Sequence, residues 1–203
     1  MDEMTGIQAL ERATEALPMN TKMLERPEYE YIRHGTQCLL ASFDVATGEV
    51  FSVCQSHRKE KDFVDFIKAI ENHHYGYTQL QIVADNLNTH QSESLVRHVA
   101  KRSGFEGNLG IKGKSGILKN IMSRAEFLSR KSHKIVFNYT PKHASWMNQI
   151  EIWFGILMRK VLKRGSFSST DDLKSKLTNF IDYHNKFYAH PYNWQYGNNV
   201  LKT

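Results

Sequence analysis

Residues 79–90 read QLQIVADNLNTH. The first six are the short, β-branched kind of run that forms a buried strand, and the run stops on Asp85-Asn86, before a polar turn that ends in His90. In open α/β sheets, reactive groups collect beyond the C-terminal ends of strands. A carboxylate at that point has no packing role. It serves a local turn, for which Asp is well suited, or it serves a site.

The chain on either side has the pattern of a layered α/β domain. Residues 36–43 (TQCLLASF) and 49–55 (EVFSVCQ) form a predicted antiparallel hairpin turning at Thr47-Gly48. Residues 60–72 place Phe63, Phe66, Ile67 and Ile70 on one helical face, and a second helix is predicted from Ser92 to Arg102. The run SGILKNIMSRAEFLSR reads as a helix with Leu118, Ile121, Met122, Ala125 and Leu128 inward. KIVFNYT (134–140) is a strand stopped by Pro141. Residues 145–163 are the strongest helix, with Ser145 as N-cap, an apolar stripe of Met147, Ile150, Phe154, Leu157 and Val161, and Gly165 past its end. A last helix spans about Thr170 to Lys186. Pro18 and Pro27 break any long helix in residues 1–35, which are expected to be extended and irregular. The whole, 1–203, reads as a single domain.

Composition narrows the function classes. The chain has 40% hydrophobic residues and no apolar run long enough to span a bilayer. With an acidic, mixed N-terminus and only Cys38 and Cys54, it is expected to be reduced, cytoplasmic and bacterial, with its thiols packed as small apolar groups. Residues 101–134 hold nine Lys or Arg against Glu106 and Glu126, a balance of +7 in a chain whose total is +6. So local a charge reads as a contact surface for a polyanion or as a solvated helix. GKSG at 113–116 is not a phosphate-binding loop, because Asn108 stands where the pattern needs glycine. His73, His74, His184 and His190 lack zinc-like partners in sequence, and Trp146 and Trp153 read as packing residues.

Three acids gain meaning from the words around them. VADNLNTH, YTPKHASWMNQIEIWFGILMRK and LKRGSFSSTDDL, with the opening DEMTGIQALERATEALP and EYEYIRHGTQCLLASFDVATGEV, resemble the catalytic core of insertion sequence 630 family transposases, relatives of the mariner elements. The resemblance runs from Asp2 to about Trp194, and SWMNQIEIWF is its most specific block. It implies an RNase H-like mixed sheet flanked by helices and an Asp-Asp-Glu catalytic triad. Asp2 matches the first acid, on a central strand, Asp85 the second and Glu151 the third. Taken singly, Asp2 would pass for a solvated terminus, Asp85 for a turn residue and Glu151 for a helix-dipole partner.

The chemistry the resemblance implies is metal-dependent cleavage and strand transfer of double-stranded DNA, in a protein of the nucleoid that acts as a homodimer. Two Mg²⁺ ions, replaceable by Mn²⁺, would be held by Asp2, Asp85 and Glu151 and would serve in-line displacement at phosphorus. His90 would orient a carboxylate or a phosphate. Lys142, His143 and Asn148 flank the third acid and would contact DNA, as would Lys112, Lys114 and Lys119. Two departures stand out. First, 65 residues separate Asp85 from Glu151, more than the family pattern, and the excess coincides with the basic segment, expected to be an inserted helical subdomain. Second, the chain starts one residue before the first acid, without the upstream strand and helix-turn-helix of its relatives, and its α-amino group is expected to compete with metal there. A DNA-binding remnant without activity, or a nuclease on the same scaffold, are the competing expectations.

Overall fold

The hairpin turning at Thr47-Gly48 is the backbone of the molecule. The computed structural model describes residues 1–14, 30–141, 144 and 147–191. Strand β2 runs from Tyr31 to Phe43 and pairs antiparallel with β3, Val50–Gln55, with Leu40 opposite Val53 and Phe43 opposite Val50. The turn needs its glycine twice over. Gly48 has φ +80°, and a Cβ there would fall 2.1 Å from the His190 carbonyl oxygen.

On the other edge of β2 lies β1, Asp2–Arg12, also antiparallel. This corrects the irregular opening expected from the prolines. Charged and polar residues disguise the strand, but Ile7 and Ala9 are buried two apart, as a strand requires. Gly6, at φ +66°, sits in a register shift between Met4 and Ile7. Pro18 and Pro27 lie outside the described residues.

The pleat gives this sheet two different faces. Directly opposed residues share a face, so Asp2 lies with Ala41 and Glu3 with Leu40. Leu40 and Cys38 belong to the core built with helices α1, Glu60–His73, and α2, Glu93–Arg102. Leu39 and Ala41 face the core built with α4, Gln149–Leu157, and α5, Thr170–Phe187. Helices therefore cover both faces, and the two acids at the start of β1 serve opposite layers.

Strands β4, Leu80–Ala84, and β5, Ile135–Tyr139, pair in parallel, with Leu80 opposite Ile135 and Ala84 opposite Tyr139. The single mixed sheet expected from the sequence is thus present as two hydrogen-bonded pieces. They meet where the Met1 amine donates to the Val83 carbonyl at 2.8 Å. Between them lies a cavity of about 470 Å³ lined by Met1, Phe43, Leu80, Ile82 and Ile150 among others.

The basic segment packs into the main body of the molecule. It belongs to the crossover from β4 to β5, and Leu118, Phe127 and Leu128 are fully buried in the same core as α1 and α2. Its helix, α3, is only Ile121–Leu128, because Asn120 caps it by accepting from the Ser123 N–H at 2.8 Å. The inward face predicted there is corrected accordingly: Met122 is 82% exposed and Ile121 points outward too, while Arg124 is buried. Arg124 donates Nε to the Gln91 carbonyl at 2.6 Å, so one of the nine cations is structural.

Helix α4 also starts later than expected, at Gln149, with Asn148 at its N-cap position; Ser145 and Trp146 lie outside the described residues. Ile150, Trp153, Phe154 and Leu157 are buried, so Trp153 is a packing residue. The helix then widens into a π turn, Met158–Leu162, closed by Lys163 N–H to the Met158 carbonyl at 2.8 Å. Ser169 caps α5, and Asn185 on α5 clamps Val50 of β3 through both its N–H (2.8 Å) and its carbonyl (2.9 Å). Among the described residues no helix is long and apolar enough to cross a membrane.

Candidate active site

Three elements distant in sequence deliver one carboxylate each. Asp2 opens β1, Asp85 follows the last residue of β4, and Glu151 lies in the first turn of α4. Asp2 is buried. Its Oδ1 accepts from the Glu3 N–H at 2.8 Å and its Oδ2 from Asn148 Nδ2 at 3.3 Å. Asn148 also donates to the Met1 carbonyl at 2.8 Å. Asp85 is held by its own turn, where the Leu87 N–H donates to Oδ1 at 3.0 Å. Asn86, next to it, donates to the Thr140 carbonyl at 2.5 Å and so ties the loop to the end of β5.

The charges show that the three acids sense one another. Burial pushes the Asp2 carboxyl above its ordinary range, and the neighbouring Asp85 charge adds to this. Glu151 is also pushed up, first by partial burial of its carboxyl, then by the Asp2 charge, by a hydrogen bond it makes with Asp2, and by Asp85. Asp85 goes the other way. Its hydrogen bond with His90 holds it below the usual carboxylate range against the opposing effect of burial. Burial and neighbouring charge thus disfavour the ionised forms of Asp2 and Glu151, while His90 favours the ionised form of Asp85.

His90 stands behind Asp85. Its side chain is fully buried, with Nδ1 2.6 Å from Asp85 Oδ1 and Nε2 3.5 Å from Glu3 Oε1. The ring stacks on Phe63 at 4.3 Å, and the Tyr139 hydroxyl donates to the His90 carbonyl at 2.7 Å. Burial alone would lower the imidazole pKa, but Asp85 and Glu3 outweigh it and raise it to about 9.

The remaining site residues read from the sequence fall in different places. Asn148 is 2% exposed and committed to Met1 and Asp2, so it holds the first acid and is not on a DNA-facing surface. Lys112, Lys114 and Lys119 are exposed on a tight loop bridged between Ile111 and Ser115. Lys112 reaches to 3.8 Å from Glu93, which begins α2 three residues beyond His90. Lys142 and His143 lie outside the described residues. The α-amino group expected to compete with metal is turned to the Val83 carbonyl, and burial lowers its pKa to about 6. Sequence reasoning did not single out Glu3 as a partner of His90. The signal was present in the Asp2-Glu3 pair, since neighbours on a strand point to opposite faces.

Among the described residues no three His, Cys, Asp or Glu side chains form a ready-made metal cage. The donor set nevertheless suits a hard cation. Mg²⁺ keeps several waters and takes one or two carboxylates plus substrate phosphate, so a full protein cage is not its habit. The upward shifts of Asp2 and Glu151, each raised in part by the Asp85 charge, are of the kind a cation placed among the three would relieve.

Residues 1–174 match the family model described as DDE superfamily endonuclease, which covers most of the chain and contains all three acids. The chain belongs to this family. Comparison with curated proteins found no match, and neither did comparison with solved structures.

Proposed function

We propose that the chain is the catalytic domain of a DNA transposase of the insertion sequence 630 type, which cuts DNA and joins the cut end to a target by metal-dependent phosphodiester chemistry. The observation that carries the proposal is that the Asp85 charge raises both Asp2 and Glu151, and Asp2 raises Glu151, although the three acids come from separate elements. No packing requirement explains three acids in one place, and the ionised forms of Asp2 and Glu151 cost stability there unless a cation serves them.

In this reading Asp2, Asp85 and Glu151 hold Mg²⁺ or Mn²⁺. When bound, such ions polarise the phosphoryl oxygens and favour deprotonation of the attacking hydroxyl. The chain's own residues do the rest. Asn148 and the Glu3 N–H fix both oxygens of Asp2. His90 and the Leu87 N–H fix Asp85. Glu151, exposed on the first turn of α4, would complete the carboxylate set that holds the cation and is the least buried of the three acids. Water as nucleophile gives a nick, and a DNA 3′-hydroxyl gives strand transfer, with the same carboxylates. Lys112, Lys114 and Lys119 supply backbone contacts, Lys142 and His143, which precede Glu151 in sequence, supply others, and the protein acts on DNA as a homodimer.

Nicking of supercoiled plasmid in Mg²⁺ or Mn²⁺, with Asp85→Asn and Glu151→Gln as controls, tests the proposal. Loss of nicking in both variants is expected; nicking that survives either substitution would remove the acids from the chemistry. A second reading, a nuclease that does not join ends, follows from the endonuclease description of the family. Strand transfer from a pre-cleaved end separates the two.

A further inference from the structure

We propose that Glu3 is a positioning residue for Asp85, acting through His90, and this rests on the phosphoryl-transfer reading above. Glu3 is next to Asp2 in sequence but on the opposite face of β1, the face that Leu40 shares with α1 and α2. Its side chain is only 3% exposed. A carboxylate so enclosed costs several kcal/mol unless it is paired. Within the described residues His90 is the one cation it meets, at 3.5 Å, and neither Glu3 Oε2 nor His90 Nε2 has a hydrogen-bond partner.

An apolar residue would suit that position better if packing were its only duty. The arrangement instead controls the imidazole. Phe63 fixes its plane, the Tyr139 hydroxyl fixes its backbone, Asp85 takes Nδ1, and Glu3 faces Nε2. With Nε2 directed at Glu3, the ring cannot turn without stranding that buried carboxylate, and Nδ1 stays aimed at Asp85. His90 and the Leu87 N–H both engage Asp85 Oδ1, which leaves Oδ2 free of protein hydrogen bonds among the described residues and available to a cation. Residues that orient a ligand from behind characteristically change metal affinity about 10–100-fold when removed.

The test compares two neutral substitutions of similar size in the full chain, Glu3→Met, which lacks an acceptor for Nε2, and Glu3→Gln, which keeps one. Mn²⁺ affinity is measured by electron paramagnetic resonance beside wild type and Asp85→Asn. Glu3→Met is expected to weaken Mn²⁺ binding by about tenfold or more, and Glu3→Gln to recover most of that loss. A purely structural role would not distinguish the two variants by the acceptor. Unchanged affinity in Glu3→Met, or an equal loss in both variants, overturns the proposal. If Asp85→Asn abolishes Mn²⁺ binding while Glu3→Met leaves it intact, only the role of Glu3 falls. If Asp85→Asn leaves Mn²⁺ binding intact, the metal site itself falls and the role of Glu3 with it. Should Glu3→Met fail to fold, NMR of the metal-free wild type decides. Slow solvent exchange of the His90 Nε2 proton supports the contact with Glu3, and rapid exchange refutes it.

Discussion

Raising the pH of the metal-free protein from 6 to 9 should remove about 3 kcal/mol of stability through His90 alone. The ring is fully buried between Asp85 and Glu3, and its pKa is raised to about 9 from an ordinary 6.5. A base whose pKa is higher folded than unfolded stabilises fully below the unfolded value, and the contribution disappears as the pH passes the folded value. The window is therefore pH 6.5 to 9. The gap of about 2.5 between the two pKa values, at about 1.4 kcal/mol per pH decade, is worth about 3.5 kcal/mol in full, of which about 3 kcal/mol is lost between pH 6 and 9. Other groups titrate nearby. The Met1 amine, lowered to about 6, gains stability over part of the window, and Cys38, raised to about 11, loses it only at higher pH. The measurement is consequently a difference: urea unfolding of wild type and His90→Gln in chelator at pH 6, 7, 8 and 9. The stability gap between the two should shrink by about 3 kcal/mol across the series. Parallel curves would refute the buried carboxylate–imidazolium–carboxylate arrangement.

Other expectations follow from other parts of the molecule. Glu71 is buried and accepts from the Tyr77 hydroxyl (2.7 Å), His98 Nε2 (2.5 Å) and Arg102 Nε (2.6 Å). Glu71→Ala should cost about 2–4 kcal/mol by chemical denaturation, since it strands three donors at once. Burial alone would raise the Glu71 pKa, but those donors outweigh it and lower it, so its contribution should hold at neutral pH and fade as acid passes its folded pKa. The register of α3 is checked by a pair: Leu128→Ala should cost about 2–5 kcal/mol, whereas Met122→Ala should stay within about 0.5. Replacing Lys112, Lys114 and Lys119 together by Ala should leave the fold intact and lower the slope of log affinity for duplex DNA against log salt by about 3, near 0.9 for each phosphate no longer neutralised.

The parts legible in the sequence are those where one physical signal acts without competition. Helix α1 could be read from Phe63, Phe66, Ile67 and Ile70 because its stripe faces a single core. Strand β4 could be read from its β-branched run, and Asp85 from the abrupt stop. Strand β1 was hidden because most of its residues are polar or charged; it is a strand through pairing with β2, a partner its own composition does not reveal. The α3 region failed for another reason. Leu118 and Leu128 are buried as the stripe implies, but Asn120 starts the helix after Leu118, and the short helix turns Phe127 and Arg124 inward in place of Ile121 and Met122. The charge count of the same segment could not show that Arg124 points into the core. In the candidate site, each acid was visible through its neighbours in sequence. The link between Glu3 and His90 was not, since 86 residues separate them and nothing local marks either as buried.

The most direct test of the shared metal site is anomalous diffraction from crystals of the full chain grown with Mn²⁺ and a DNA end. Manganese peaks bounded by the carboxylates of residues 2, 85 and 151, and absent when Asp85 is replaced by Asn, are the expected result. Manganese bound elsewhere, with those three side chains still hydrogen-bonded as in the metal-free molecule, would contradict it.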